Sequence, residues 1–335
     1  MHSAPNRPPR RMKTVQGLAV IAGLTFVLWL VHEIGPALLW AHLSSLSWRL
    51  GVLMLPEALG NLLDGAGWRY AFPGRLPGLG PATTIRLAGE AVNDTTPTGQ
   101  LGGDALKAWL ATHARVPLRE GLVAAVVGKT ALVASQVAFM AVGLALVWNQ
   151  PDTASWLRTG LAALVVAGLL ATAGFLGAQA SGLFRAGSRA LDWLGLSGRL
   201  SAGARQLDGD LRAYYRERQA RLVGATALHF LGWLAGVLDV WLGLRFLGAP
   251  VTLGTALVIE AGATGARSVG FLVPGSLGVQ EGALVGLVAA VGLPPSVGLA
   301  LGVVRRIRDT LWDLIGYGCL AAWGGVEAPR LDPSP

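Results

Sequence analysis

Two clusters of polar residues stand where an apolar chain makes them costly. Glu281 follows a proline–glycine break in residues 271–283, FLVPGSLGVQEGA, and further along GVVRRIRDTLWDLIGYG sets Arg305, Arg306, Arg308, Asp309 and Asp313 inside a hydrophobic segment. A run holding Pro274, Gly275 and Gly278 cannot continue a regular helix, and in lipid the freed backbone groups must be satisfied by protein or by water in a cavity. Glu281 then falls on the first turn of the helix that resumes at Val279, where unpaired N–H groups and a partial positive charge favour a carboxylate or an anionic ligand. The same residues also fit a tight interhelical loop with Glu281 as an ordinary first-turn acid. At helical rise the Arg/Asp cluster lies about 12 to 24 Å into its segment. Charges at such depth normally face a cavity or one another. Spacing puts Arg305, Asp309 and Asp313 on one helical face, so an Arg–Asp pair is expected there. A later helix start, with the charges at headgroup level, or a purely internal salt bridge would also account for them.

A second polar stretch, residues 83–113, reads TTIRLAGEAVNDTTPTGQLGGDALKAWLATH and carries Arg86, Glu90, Asn93, Asp94, Asp104 and Lys107 around a breaker, TTPTGQLGG. Its two arms of about eleven residues are too short to cross a hydrocarbon core of about 30 Å. They predict a re-entrant hairpin entering from the cytoplasm, with a polar cytoplasmic loop as the alternative. GQLGGD and GSLGVQE share G-x-L-G followed by an acid, and Asp104 and Glu281 each stand seven residues after a proline, Pro97 and Pro274. Interrupted segments in corresponding places of two halves are the mark of an inverted-repeat transporter, with its site at the midplane between them. Lys129 lies about 13 Å into the span after the first hairpin.

The elements that must position these residues follow from composition. With 53% hydrophobic and 14% charged residues and a mean hydropathy of +0.52, the 335-residue chain is expected to be an all-α polytopic membrane protein. Its length suits about six full spans plus two re-entrant broken-helix hairpins in an inverted repeat. The net charge of +8 is read against the membrane and not as a nucleic-acid footprint. The single cysteine, Cys319, allows neither an intrachain disulfide nor a cysteine-based metal site, and the scattered histidines form no HExxH pattern.

Residues 1–14 form a basic N-terminus, placed in the cytoplasm. A first membrane half, 15–177, starts with a retained span at 15–31, an interfacial helix, and a second span at about 48–63, and contains the hairpin 83–113. The arginine-rich stretch 178–221 is expected on the cytoplasmic side as an amphipathic helix on the membrane surface. A second half, 222–324, contains the hairpin 253–292 and ends in a cytoplasmic tail, 325–335.

PGSLGVQEGA followed by RRIRD, together with NDTTPTGQLGGDALKAWL, resembles the flippase-like membrane region of lysylphosphatidylglycerol synthases over roughly residues 48–323. The QEG after the turn and the RRxR resemble the hopanoid-biosynthesis-associated branch. The resemblance places Asn93, Pro97, Gly102, Asp104, Pro274, Gly275, Gly278, Glu281 and Arg305 or Arg306 on family motif positions. The chain departs from it at Gly103–Asp104, where Gly-Glu is expected, and at Gly275–Ser276, where Gly-Gly is commoner. It implies movement of a lipid or lipid-linked glycan between leaflets of a bacterial plasma membrane. No aminoacyltransferase domain follows Trp323, so synthesis of lysylphosphatidylglycerol is not expected. Arg305, Arg306 and Lys129 are the expected anion-attracting groups. Glu281, Asp104, Asn93 and Asp309 complete the expected binding set, with no catalytic residue, metal or cofactor. The alternatives are an intramembrane lipid-modifying enzyme and an ion or small-solute transporter.

Overall fold

The computed structural model describes residues 48–96, 101–148, 154–182, 184–187, 200–270, 276 and 278–324. The expected first span and interfacial helix, the tail 325–335, and the motif residues Pro97, Pro274 and Gly275 lie outside the described residues. Among the described residues no strand occurs, and the architecture is the all-α polytopic one that composition dictates.

The chain runs α1 (Trp48–Tyr70), α2 (Leu79–Thr95), α3 (Leu101–His113), α4 (Leu118–Trp148), α5 (Ser155–Ser181), α6 (Leu200–Glu217), α7 (Gln219–Phe246), α8 (Leu253–Val269), α9 (Val279–Ala290) and α10 (Pro295–Gly324). Helices α4, α5 and α7 are long and apolar enough to cross a membrane by length and composition alone. Helix α10, at 30 residues, spans about 45 Å but carries the charges anticipated above. Helix α1 runs past the expected end near residue 63 because its polar residues have partners in the protein. Asp64 meets Arg86, and Arg69 Nε donates to the Pro77 carbonyl at 2.6 Å. Helix α2 begins at Leu79 instead of residue 83, with Pro81 in its first turn, where a missing N–H removes no helical bond.

Helices α1 to α4 and α7 to α10 repeat one order of lengths, 23, 17, 13 and 31 residues against 28, 17, 12 and 30. In each run the short pair is antiparallel: Gly89 meets Lys107 and Asn93 meets Gly103, as Gly262 meets Leu287 and Gly270 meets Val279. The last helix of each run crosses to the other run's first short helix. Helix α4 packs Gly143 on Ala261 of α8, and α10 packs Gly316 on the Leu87 carbonyl and Ala91 of α2. A Cβ on Gly103 would stand 2.0 Å from the Gly89 carbonyl oxygen, so the close approach of α2 and α3 requires glycine there.

Helix α6, in the stretch expected to form an amphipathic helix, docks on the protein through its apolar face. Leu207, Leu211 and Tyr214 are buried in a core with Trp68, Phe72 and Val116, so its apolar face is turned to the protein. Three apolar residues at helical spacing suffice for that docking. Asp208 fixes it further by accepting from the backbone N–H groups of Phe184 and Arg185 at 3.0 and 2.9 Å.

Candidate functional site

The sequence VVRRIRD winds its cations in different directions, and each finds an acid on another helix. Gly302 brings α10 against Glu281, since a Cβ there would stand 3.3 Å from Glu281 Cγ. Arg306 places Nη2 at 2.6 Å and Nε at 2.8 Å from Glu281 Oε1. The other Glu281 oxygen accepts from the backbone N–H of Gly278 at 2.9 Å. Gly278 adopts φ +75°, a conformation that favours glycine, and this turns the chain into α9. Glu281 is thus both the cap of a helix and the counter-ion of a buried arginine.

Arg305 and Arg308 turn the other way. Arg305 places Nε 3.1 Å from Asp239 on α7 and Nη2 2.7 Å from Glu260 on α8, with its side chain only 2% exposed. Arg308 joins Asp239 at 2.5 Å, Asp309 at 2.6 Å and Glu57 of α1 at 3.4 Å. The expected pairing along the Arg305 face therefore does not form. Arg305 satisfies buried acids on two other helices, and Asp309 takes its neighbour Arg308 instead. A buried carboxylate left without a cation costs far more than a surface i,i+4 pair contributes, so the interhelical arrangement wins.

These side chains enclose a cavity of about 240 Å³ lined from α1, α2, α7, α8, α9 and α10. Arg305, Arg306 and Asp309 line it, together with Gln280, Trp312 and Asp313. Glu281 sits behind Arg306.

The first-half residues form a neighbouring cluster. Lys107 Nζ lies 2.5 Å from Asp104 and 2.8 Å from Glu90, and Lys129 Nζ lies 3.8 Å from Asp104. Asn93 Oδ1 accepts from the Gly103 N–H at 2.8 Å, which pins the start of α3 on α2, with Gly102 beside it. Glu90 belongs both to this cluster and to the cavity wall.

The expected residues thus fall into two groups joined through Glu90. Sequence reasoning missed Asp239, Glu260, Glu57, Asp64 and Arg267. The signal was present for two of them: Asp239 in VLDVW and Glu260 in VIEAG are single acids inside apolar runs, which calls for a partner within the membrane.

The arrangement is a polar, mixed-sign chamber, walled by helices whose outer faces are apolar. Exposed Leu55, Leu59, Leu238 and Leu314 illustrate that outer surface. Such a chamber can hold a polar group away from lipid.

Comparison with known proteins agrees with this picture. Residues 15–315 match the family model described as the lysylphosphatidylglycerol synthase TM region. The chain is 27% identical over 288 residues to a UPF0104 membrane protein of Methanothermobacter thermautotrophicus, covering 80% of this chain and 77% of that one. No solved structure matches. With the family model covering most of its length, including both broken segments and the buried arginines, this multi-pass membrane protein belongs to the lysylphosphatidylglycerol synthase transmembrane-region family.

Proposed function

We propose that the protein moves a lipid or lipid-linked headgroup, of phospholipid or hopanoid type, between the leaflets of a bacterial plasma membrane. The headgroup passes through the charged cavity while the tails stay in lipid. One observation carries this reading: Arg305, Arg306 and Arg308 meet carboxylates from α1, α7, α8 and α9 around a cavity part-way along a membrane helix. Ionised groups at that depth are costly and are kept where a polar substrate must be accommodated. Paired arginines suit the task, because a guanidinium carries five donors and can meet a phosphate while its carboxylate partner stays in place. Transfer between leaflets requires no covalent step from these residues. The matched helix order of α1–α4 and α7–α10 supports an inverted repeat, with α2–α3 entering from the cytoplasm and α8–α9 from outside. Both termini are then cytoplasmic.

The test is reconstitution into liposomes carrying phosphatidylglycerol with a fluorescent headgroup. Loss of signal to a membrane-impermeant quencher should proceed faster with protein than without it, and Arg306→Gln should slow it. Equal rates in protein-containing and protein-free liposomes, for phospholipid and hopanoid cargoes alike, would refute the reading.

A further inference from the structure

Behind the cavity, α1, α2 and α7 meet at a cluster that headgroup passage alone does not use. His229 of α7 is 2% exposed, and its Nδ1 lies 2.6 Å from Asp64 Oδ1 on α1. The other Asp64 oxygen lies 2.8 Å from Arg86 Nη2 on α2, and Arg86 Nη1 donates to Asn61 at 3.2 Å. Asp64, Arg86 and Asn61 line the cavity, with His229 behind them. The imidazole is wedged against α1, where a Cβ on Gly67 would stand 3.1 Å from both Cε1 and Nε2. Nε2 is buried with no hydrogen-bond partner among the described residues.

A carboxylate only accepts, so Nδ1 carries the hydrogen of the bond to Asp64, and a second proton goes on Nε2. With a neutral imidazole, Asp64 and Arg86 cancel. With a protonated one the cluster gains a unit of positive charge beside the cavity. The charged groups around it are Asp64 and Arg86, then Glu57, Glu90 and Asp94 one or two turns along α1 and α2, of which Arg308 holds Glu57 and Lys107 holds Glu90.

The cavity wall holds seven carboxylates and five arginines, every arginine is in an ion pair, Lys107 holds Glu90, and no salt bridge within 4 Å joins Asp94 or Asp313 to a cation among the described residues. An anionic headgroup entering such a wall brings one more negative charge, which a proton taken up beside the wall would offset. Histidine is the side chain that normally takes up a proton between about pH 5 and 8.

We infer that His229 with Asp64 is a proton-binding site coupled to occupancy of the cavity, so that a proton and an anionic headgroup bind cooperatively. This rests on the translocation reading above and adds its driving ion. By linkage, the headgroup raises proton affinity as much as the proton raises headgroup affinity.

Two measurements test it, with phosphatidylglycerol as probe. In liposomes, the wild-type translocation rate should rise about fivefold from about pH 8 to about pH 6, and an imposed pH gradient should drive net transfer. His229→Gln removes the titrating group, so it should hold the rate at the wild type's alkaline value. In weakly buffered detergent solution, adding short-chain phosphatidylglycerol to the wild type should cause proton uptake, read by an indicator dye and lost in His229→Gln. A wild-type rate indifferent to pH, a pH dependence that survives His229→Gln, or binding without proton uptake would overturn the proton site. A wild type that moves no lipid at any pH would overturn both it and the translocation reading.

Discussion

The two halves build the same ion pair with different strength. Lys129 stands eleven residues after Leu118, the start of α4, and Arg306 eleven after Pro295, the start of α10. Each reaches an acid on the first turn of the preceding short helix, Asp104 of α3 and Glu281 of α9. In the second half an arginine meets its carboxylate through Nη2 and Nε at 2.6 and 2.8 Å, with side chains 6% and 20% exposed. In the first half a lysine lies 3.8 Å away at 27% exposure, and Asp104 belongs mainly to Lys107. The planar guanidinium binds through two donors where ammonium acts as a point charge. Only the arginine lines the cavity. The first half therefore uses this pair to tie α3 to α4, whereas the second half places the pair at the site.

The comparison breaks most violently at Arg305, which has no counterpart in the first half. Arg305→Met leaves Asp239 and Glu260 buried without one of their cations. It should lower stability by about 3 to 5 kcal/mol, seen as a reduced midpoint of denaturation in detergent. A loss below about 1 kcal/mol would mean that water reaches these acids.

A double-mutant cycle on each equivalent pair sharpens the contrast. Glu281→Gln with Arg306→Gln should show a coupling of about 2 kcal/mol, and Asp104→Asn with Lys129→Gln about 0 to 1 kcal/mol. Equal couplings would remove the distinction between site and support. In translocation, Glu281→Gln should cost about tenfold or more while Glu281→Asp retains part of the rate, because charge on Arg306 is what must be balanced. Asp104→Asn should cost less than either, since Lys107 keeps Glu90.

The smallest effect is expected at the cap. Gly278→Ala meets open space but must adopt φ +75°, so about 1 kcal/mol is lost without any change in the ion pairs.

Much of this could be read from residue order. The extents of α9 and α10 follow from Pro274–Gly275 and from the apolar run around RRIRD, and Glu281 on the first turn of α9 follows from the break before it. The partners of the arginines did not follow, because Asp239 and Glu260 lie far from Arg305 in sequence and only the fold brings α7 and α8 to it. The same holds for α1, whose length past residue 63 depends on Asp64 finding Arg86 and His229. Asp104, Asn93 and Lys129 were recognisable as polar residues within the membrane half. That they support the hairpin at one remove from the cavity depends on Lys107 and Glu90, a pairing that helical periodicity within one arm does not reveal.

The two matched runs are expected to enter the membrane from opposite faces and to share the cavity between them. With Cys319 replaced by serine, single cysteines at the exposed loop positions Arg75, Arg115, Pro250 and Pro294 can be labelled in sealed vesicles with an impermeant maleimide. Arg75 and Arg115 should react from the cytoplasmic side alone, and Pro250 and Pro294 from the outer side alone. Reaction of Arg75 and Arg115 from different sides, or of all four positions from one side, would contradict that arrangement.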